Sequence, residues 1–538
     1  MPRKDNLSRS ANNKNPDTIV ATATAAGKAA IGIVRMSGPA SFSIASSLIQ
    51  QKLPRKRAIK VCNFYAVDGT QLDQGITISF ISPNSFSGED LVELHVHGNP
   101  LILDNIVAAC LANGARHAEA GEFSRRAYQN GKVDLTQAES IADVINSDTE
   151  ISLRAAMRSL SGDFSQKVSI LNDKIMQLRV YIEAALDFPT EEIDLLQDKE
   201  SARQTEEILQ QLRDILEQAR QGLLIQEELN LVILGKPNAG KSSLMNILCR
   251  NDRAIVSEDA GTTRDFLSEK VNIQGMSASL TDTAGIRSPR SAVESEGIER
   301  SWHQAKLSDI IICIYDALED ELDLAELSKL GDECQESQEL KHLKHLKQLK
   351  QSKQAKQTNE GENIKQLKSH KSSKPTDIQN FAELVKHLAS QGLLKKTIFI
   401  ANKLDLLDSA NRKKLQSRLS GANKHQLNIS SATSLTNKCL GFSVKSGEGM
   451  EELMAAIVAK SGKQGVAPQF TARKRHIESL AKALNAVEQG HKQLLEQGAG
   501  ELFAEDLKLA TICLDEILGK TTTDDLLDRI FSEFCLGK

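Results

Sequence analysis

Gly235-Lys236-Pro237-Asn238-Ala239-Gly240-Lys241-Ser242 sets two glycines, a lysine and a hydroxyl at the spacing of a phosphate cradle. Glycine lets backbone N–H groups close around phosphate oxygens; Lys241 brings a point charge to the outer phosphates and the Ser242 hydroxyl is placed for Mg²⁺. Asn238, Ala239, Gly240 and Ser243 are further candidate nucleotide contacts. The apolar run Leu229 to Leu234 precedes this loop and the helix-like Ser243 to Arg250 comes after it. A chance glycine turn lacks that strand-loop-helix order, so the chain is read as a nucleoside triphosphate binder.

Motifs downstream of the loop narrow the nucleotide. Asp282-Thr283-Ala284-Gly285 comes after the alternating Ser277 to Leu280, placing a carboxylate at a strand end where it can hold a Mg²⁺ water. Asn402-Lys403-Leu404-Asp405 closes the strand Thr397 to Ile400. Asp405 there can accept both N–H groups of the guanine edge, whereas adenine would leave a buried carboxylate unpaired. Ser443-Val444-Lys445, after Cys439 to Phe442, stands where GTPases carry a Ser-Ala-Lys base loop, and Ser431-Ala432-Thr433 competes for that role. Four motifs in order, each closing an expected strand, point to GTP.

The hydrolytic apparatus is unusual. Ile286 occupies the place where a Ras-like enzyme carries the glutamine that orients water, and an aliphatic side chain holds none. Gly261-Thr262-Thr263-Arg264-Asp265 offers a switch segment in which Thr263 can reach Mg²⁺. Glu294 can orient water through a second water or be a solvated charge at a helix start; Arg264 can be an arginine finger or a surface charge.

Pro237 to Leu244, the switch Gly261 to Asp265, Gly297-Ile298-Glu299-Arg300 and above all Phe534-Cys535-Leu536-Gly537-Lys538 resemble the MnmE (TrmE) family of tRNA-modification GTPases. The resemblance runs from about Asp17 to Lys538, broken by two insertions. It implies hydrolysis activated by K⁺ and by dimerisation of the GTPase modules, with Glu294 and Lys241 catalytic. Ion ligands would be the Asn238 side chain and, largely through carbonyls, Ser257, Asp259 and Thr262; Ser257 and Thr262 also border GTP. Asp259 replaces a commonly apolar residue, which matters little to a carbonyl ligand. The resemblance further implies an N-terminal module that dimerises and binds 5-formyl- or methylene-tetrahydrofolate through Arg35, Glu93 and Lys132. The tail would bring Cys535 and Lys538 to that site, with Leu536 where isoleucine is usual. Cys535 as nucleophile, proton donor or structural element stays open, and its neighbours fit a prenylation box poorly. An FAD-carrying, MnmG-like partner would complete a heterotetramer that aminomethylates or carboxymethylaminomethylates the wobble uridine of certain tRNAs. Two other classes compete with this one. A ribosome-assembly GTPase calls for an rRNA-binding basic or KH-like module, and a membrane-remodelling switch for a lipid anchor or amphipathic membrane helix; neither feature is found in the sequence.

The 538 residues are too many for one core and suit about three domains. A net charge of -4 gives no global footprint for nucleic acid, so tRNA must meet a local patch or a surface shared with a partner. The eight cysteines lack C-x-x-C spacing and read as free thiols of a reducing, cytoplasmic compartment. No apolar run reaches the ~18 residues of a membrane span, and the polar residues 1–16 read as a disordered extension without a signal core.

The expected fold class is multidomain α/β. Residues 17–130 form an α+β folate-binding domain, residues 131–225 and 470–538 a discontinuous all-α domain, and residues 226–469 an inserted Ras-like P-loop G domain. In the first, Ile19 to Thr22, Ala30 to Met36, Ile76 to Ile81 and Leu91 to Val96 read as strands and Leu101 to Ala112 as a helix. His95 and His97 alternate on one strand face without a third ligand, which suits strand residues better than a metal site. Phe164, Val168, Leu171, Ile175, Leu178 and Ile182 form one helical stripe, stopped by Pro189. Further helices are expected over Glu200 to Gln221, His476 to Gln497 and Ala504 to Leu518, a route by which switch movements can reach the distant chemistry. Insertions occupy 320–392 and 410–438. In the first, Lys recurs every third residue from Lys341 to Lys356 beside Leu340, Leu343, Leu346 and Leu349. That period drifts about 60° per step off any helical face, giving a solvated loop or a basic tether away from the GTP site.

Overall fold

The computed structural model describes residues 17–187, 199–251, 268–282, 301–318, 381–413, 415, 439–462, 468–521, 523–532, 534 and 537. They form two compact units: one within 1–147, 153–223 and 469–538, the other within 148–152 and 224–468. The expected mixture of α/β sheets and an all-helical core is present.

The first unit begins with strands β1 (Ile19–Thr22), β2 (Ala29–Ser37), β3 (Ala58–Tyr65), β4 (Gln71–Phe80), β5 (Leu91–Gly98) and β6 (Arg116–His117). They are ordered β3-β4-β5-β2-β1-β6, antiparallel except for the parallel pair β1 and β6. Alternation sends Val34, Met36, Cys62, Phe64, Val92 and Leu94 to a face buried with the helices Ser41–Leu48 and Pro100–Ala112. The opposite face carries Arg35, Glu93 and His95, which the register places beside Ile76 and Ile78 and then Ile59 and Val61. The sequence reading missed β3, whose apolar Ile59 and Val61 on the exposed face and Cys62 and Phe64 on the buried face blur the alternation, and β6, which is only two residues long.

In the same unit the helix Asp163–Asp187 buries all six residues of its stripe against Lys199–Gln226, Lys474–Gln497 and Gly500–Leu518. Pro189 lies outside the described residues. Helices from either side of the inserted unit in the sequence therefore share one core, in which Phe164 stacks on Phe470 at 4.5 Å. The helix Leu135–Ile145 starts on a reciprocal cap: Gln137 N–H donates to Asp134 Oδ1 (2.9 Å), and Asp134 N–H to Gln137 Oε1 (3.0 Å). From that helix Glu139 receives both arms of Arg475, at 2.8 and 2.7 Å, and lies 3.0 Å from His476 Nε2. Beside it Asp143 accepts from Arg473 Nη2 at 3.0 Å and Thr471 Oγ1 at 2.9 Å.

The second unit holds β7 (Leu229–Gly235), β8 (Ser268–Ile273), β9 (Met276–Asp282), β10 (Ile310–Asp316), β11 (Thr397–Asn402) and β12 (Cys439–Gly441). Their order is β12-β11-β10-β7-β9-β8, parallel throughout except for the antiparallel edge strand β8. Both faces are covered: Ile233, Ile312 and Ile314 pack with Leu244, Leu248 and Ile457, and Val232, Leu234 and Ile311 with Trp302, Leu384 and Leu388. Such two-sided burial explains the apolar run of β10 and that of β7, interrupted only at the exposed Asn230. A sheet wound both ways from β7 opens a crevice at the carboxyl ends of its strands, and the phosphate and guanine motifs fall there. Among the described residues, no helix is long and apolar enough to cross a membrane.

Burial, helped by Arg475 and opposed by Glu139, pushes the His476 pKa down to about 4 from its ordinary 6.5. Burial alone would raise Glu139, but His476 and Arg475 beside it hold its carboxyl well below the usual range. Between pH ~6.5 and ~4 the unfolded histidine binds a proton that the folded one refuses, so stability falls with acidification across that window. Urea unfolding should show a loss of up to ~3 kcal/mol there. A His476→Gln chain should lack that portion while keeping the further loss, below pH ~4.5, that comes from protonating Glu139.

Candidate functional site

At the end of β7 the chain turns through residues 236–240 into the helix Lys241–Asn251. Asn238 takes a left-handed φ of 63° and Gly240 one of 106°. A Cβ on Gly240 would stand 2.3 Å from Asn402 Nδ2, so the glycine serves both the backbone turn and close packing. Lys241 is buried, and its Nζ donates to the carbonyls of Gly235 at 3.0 Å and Lys236 at 2.8 Å. The ammonium thus lies inside the loop, and with Ser242 and Ser243 at the helix start the residues fit a phosphate chain. Asp282 closes β9 in register with Ile233 of β7, two residues before Gly235, so its backbone brings it to the same sheet edge.

The base-reading side is joined directly to this loop. Asn402 Nδ2 donates to Ala239 O at 2.8 Å, and its Oδ1 accepts from Val444 N–H at 3.1 Å. Lys403 bends left-handed at φ 70°, and Leu404 N–H meets Phe442 O at 3.2 Å. Asp405 Oδ1 accepts from Ser443 Oγ at 2.7 Å, which aims the carboxylate. Ser443-Val444-Lys445 therefore abuts Asn402 and Asp405, whereas Ser431-Ala432-Thr433 lies outside the described residues.

A second cluster lies in the first unit. Arg35 Nε donates to Glu93 Oε1 at 2.9 Å, and Glu93 Oε2 lies 3.2 Å from His95 Nε2, so both carboxylate oxygens are engaged. The Arg35 guanidinium lies 5.4 Å from the Phe86 ring and 5.8 Å from that of Phe123. Its Nη1 donates to Gly537 O at 3.4 Å, which brings the C-terminal motif to the pair. Lys132 Nζ binds Pro83 O at 2.9 Å, on the loop that also carries Phe86. A guanidinium flanked by two rings beside a carboxylate suits a flat, polar, anionic ligand.

Ser257, Asp259, Thr262, Thr263, Arg264, Thr283, Ala284, Gly285, Glu294, Cys535 and Lys538 lie outside the described residues. The sequence reading missed His95 as a partner of Glu93, Phe86 and Phe123 as the aromatic walls, and Asp316, 2.5 Å from Lys403 Nζ. The alternation of β5, which puts Glu93 and His95 on one face, was the one local signal for any of these.

A Gly240→Ala chain should keep its circular dichroism and lose GTP affinity by about tenfold or more in a fluorescent-nucleotide titration.

Comparison with known proteins gives two family matches: "GTP-binding protein TrmE N-terminus" over residues 18–132 and "MnmE helical domain" over residues 135–535. The tRNA modification GTPase MnmE of Legionella pneumophila (strain Philadelphia 1) is 38% identical over 526 residues, covering 97% of this chain and 99% of that protein. Its namesake from Marinomonas sp. (strain MWYL1) is 39% identical over 529 residues, covering 97% and 98%. The Coxiella burnetii (strain RSA 493) protein of the same name is 37% identical over 525 residues, covering 97% and 99%.

Proposed function

This chain belongs to the MnmE (TrmE) family, and from that membership we propose a K⁺-stimulated GTPase that uses a folate-borne one-carbon unit to modify the wobble uridine of certain tRNAs. It is a GTP hydrolase that acts in tRNA modification. The observation that carries the finer reading is the meeting of Arg35, Glu93 and the Gly537 carbonyl, a polar cluster far along the chain from the nucleotide loops.

In the nucleotide site Lys241 and the loop N–H groups hold the phosphates, Ser242 and Thr263 ligate Mg²⁺, and Asp405, steadied by Ser443, reads guanine. Asn238, Ser257, Asp259 and Thr262 would hold K⁺, which would supply the charge stabilisation that an arginine finger gives elsewhere. Glu294 orients the attacking water through a second water. In the other site Arg35 and Lys132 take the folate's carboxylates, Glu93 its pterin edge and Phe86 its flat ring, with Cys535 and Lys538 arriving on the tail. Hydrolysis switches conformation and is separate from the carbon chemistry.

A homodimer is supported by the exposed apolar strand face next to Glu93, where Ile59 is 72%, Val61 66% and Ile76 39% exposed. An FAD-carrying MnmG-like partner would supply the redox chemistry in a cytoplasmic heterotetramer on tRNA. The rRNA-binding alternative leaves the Arg35 cluster without a role.

GTP turnover should be faster in K⁺ than in Na⁺, and Glu294→Ala should lower it by about 10²-fold or more while GTP still binds. Equal rates in the two salts would remove the ion from the mechanism. Mass spectrometry of wobble nucleosides from cells lacking this chain should show the modified uridines gone; their persistence without a redundant enzyme would withdraw the tRNA assignment.

A further inference from the structure

We propose that Asp316 is a positioning residue of the guanine-nucleotide site, holding Lys403 and through it the turn that carries Asp405. The proposal rests on the assignment of Asp405 to the base edge. Asp316 ends β10, where the strand register sets it opposite Asn402 of β11. Its side chain is 7% exposed, and its Oδ2 lies 2.5 Å from Lys403 Nζ. The other oxygen accepts from Leu318 N–H at 3.0 Å, while Ala317 N–H donates to Asn402 O at 3.1 Å. The ends of β10 and β11 are therefore tied by a backbone bond and an ion pair, and the carboxylate is fixed from behind.

Lys403 needs such a hold. Its φ of 70° is a backbone conformation that a lysine seldom adopts, and it falls between Asn402, which binds the phosphate loop, and Asp405, which meets Ser443. A carboxylate so far from water requires a partner charge, and Lys403 supplies it. The pair is thus over-determined at Asp316 and transmits its position to the turn. Asp316 pairs with Lys403 and accepts from Leu318 N–H, so among the described residues it acts on the base site through Lys403.

The test compares GTP with inosine triphosphate, which lacks the exocyclic amine that Asp405 would accept from. In the full chain, titration should show Asp316→Asn weakening GTP by about tenfold and narrowing its preference over inosine triphosphate, with Asp316→Glu restoring part of that preference. The effect should fall on KM and GDP release, with kcat changed less than about twofold. Partial unfolding lowers both affinities alike and leaves their ratio intact, so a lower GTP affinity with an unchanged ratio overturns the proposal. So does an unchanged GTP affinity. Asp405→Asn is the control: where it abolishes the preference and Asp316→Asn leaves it, the positioning role alone falls. Where Asp405→Asn leaves the preference too, the base assignment fails and takes the proposal with it.

Discussion

One buried amide holds the nucleotide site together. Asn402 donates to the glycine loop at Ala239 and accepts from the Ser443-Val444-Lys445 loop at Val444, so a single side chain ties the two loops together. It is 2% exposed, and each of these bonds replaces one it would make to water. The cradle glycine obeys the same constraint, since any Cβ at Gly240 would push against this amide. Lys403 and Asp405, the next functional residues in sequence, turn away from Asn402 to reach Asp316 and Ser443. Each of these side chains is held by hydrogen bonds within the crevice.

The first unit uses charge differently. Around Glu93 the charges are partly open: Arg35 and His95 hold the carboxylate while Phe86 and Phe123 wall the guanidinium. Around Glu139 they are closed off, with a bidentate arginine and a buried histidine on one carboxylate. The open cluster is partly exposed to solvent, and the closed one ties the helix Leu135–Ile145 to the start of Lys474–Gln497. Lone removal of Glu139 would leave the Arg475 guanidinium without its carboxylate, so this contact serves geometry more than net stability.

The phosphate loop, the guanine motif and the long helical stripe were legible from local order because each is a short pattern with one physical reading. Glycines flanking a lysine after an apolar run can do little else, and apolar residues at four-three spacing must share a helix face. The strand β3 was not legible, because it carries apolar residues on both faces, nor was β6, which spans two residues. Nor was the early start of Gly500–Leu518, where a glycine opens the helix four residues before the expected Ala504.

By itself the sequence marked residues whose types suit phosphate and guanine, because chemical type and near-neighbour spacing are local properties, whereas Arg35, Glu93 and Lys132 were singled out only by the family resemblance. Tertiary structure alone decided which of them meet. Arg35 reaches Glu93 across 58 positions and Gly537 across 502, and Asn402 reaches Ala239 across 163. Such pairings come from strand order and shared cores, which depend on how whole elements bury their apolar faces together, and no window of neighbouring residues encodes that.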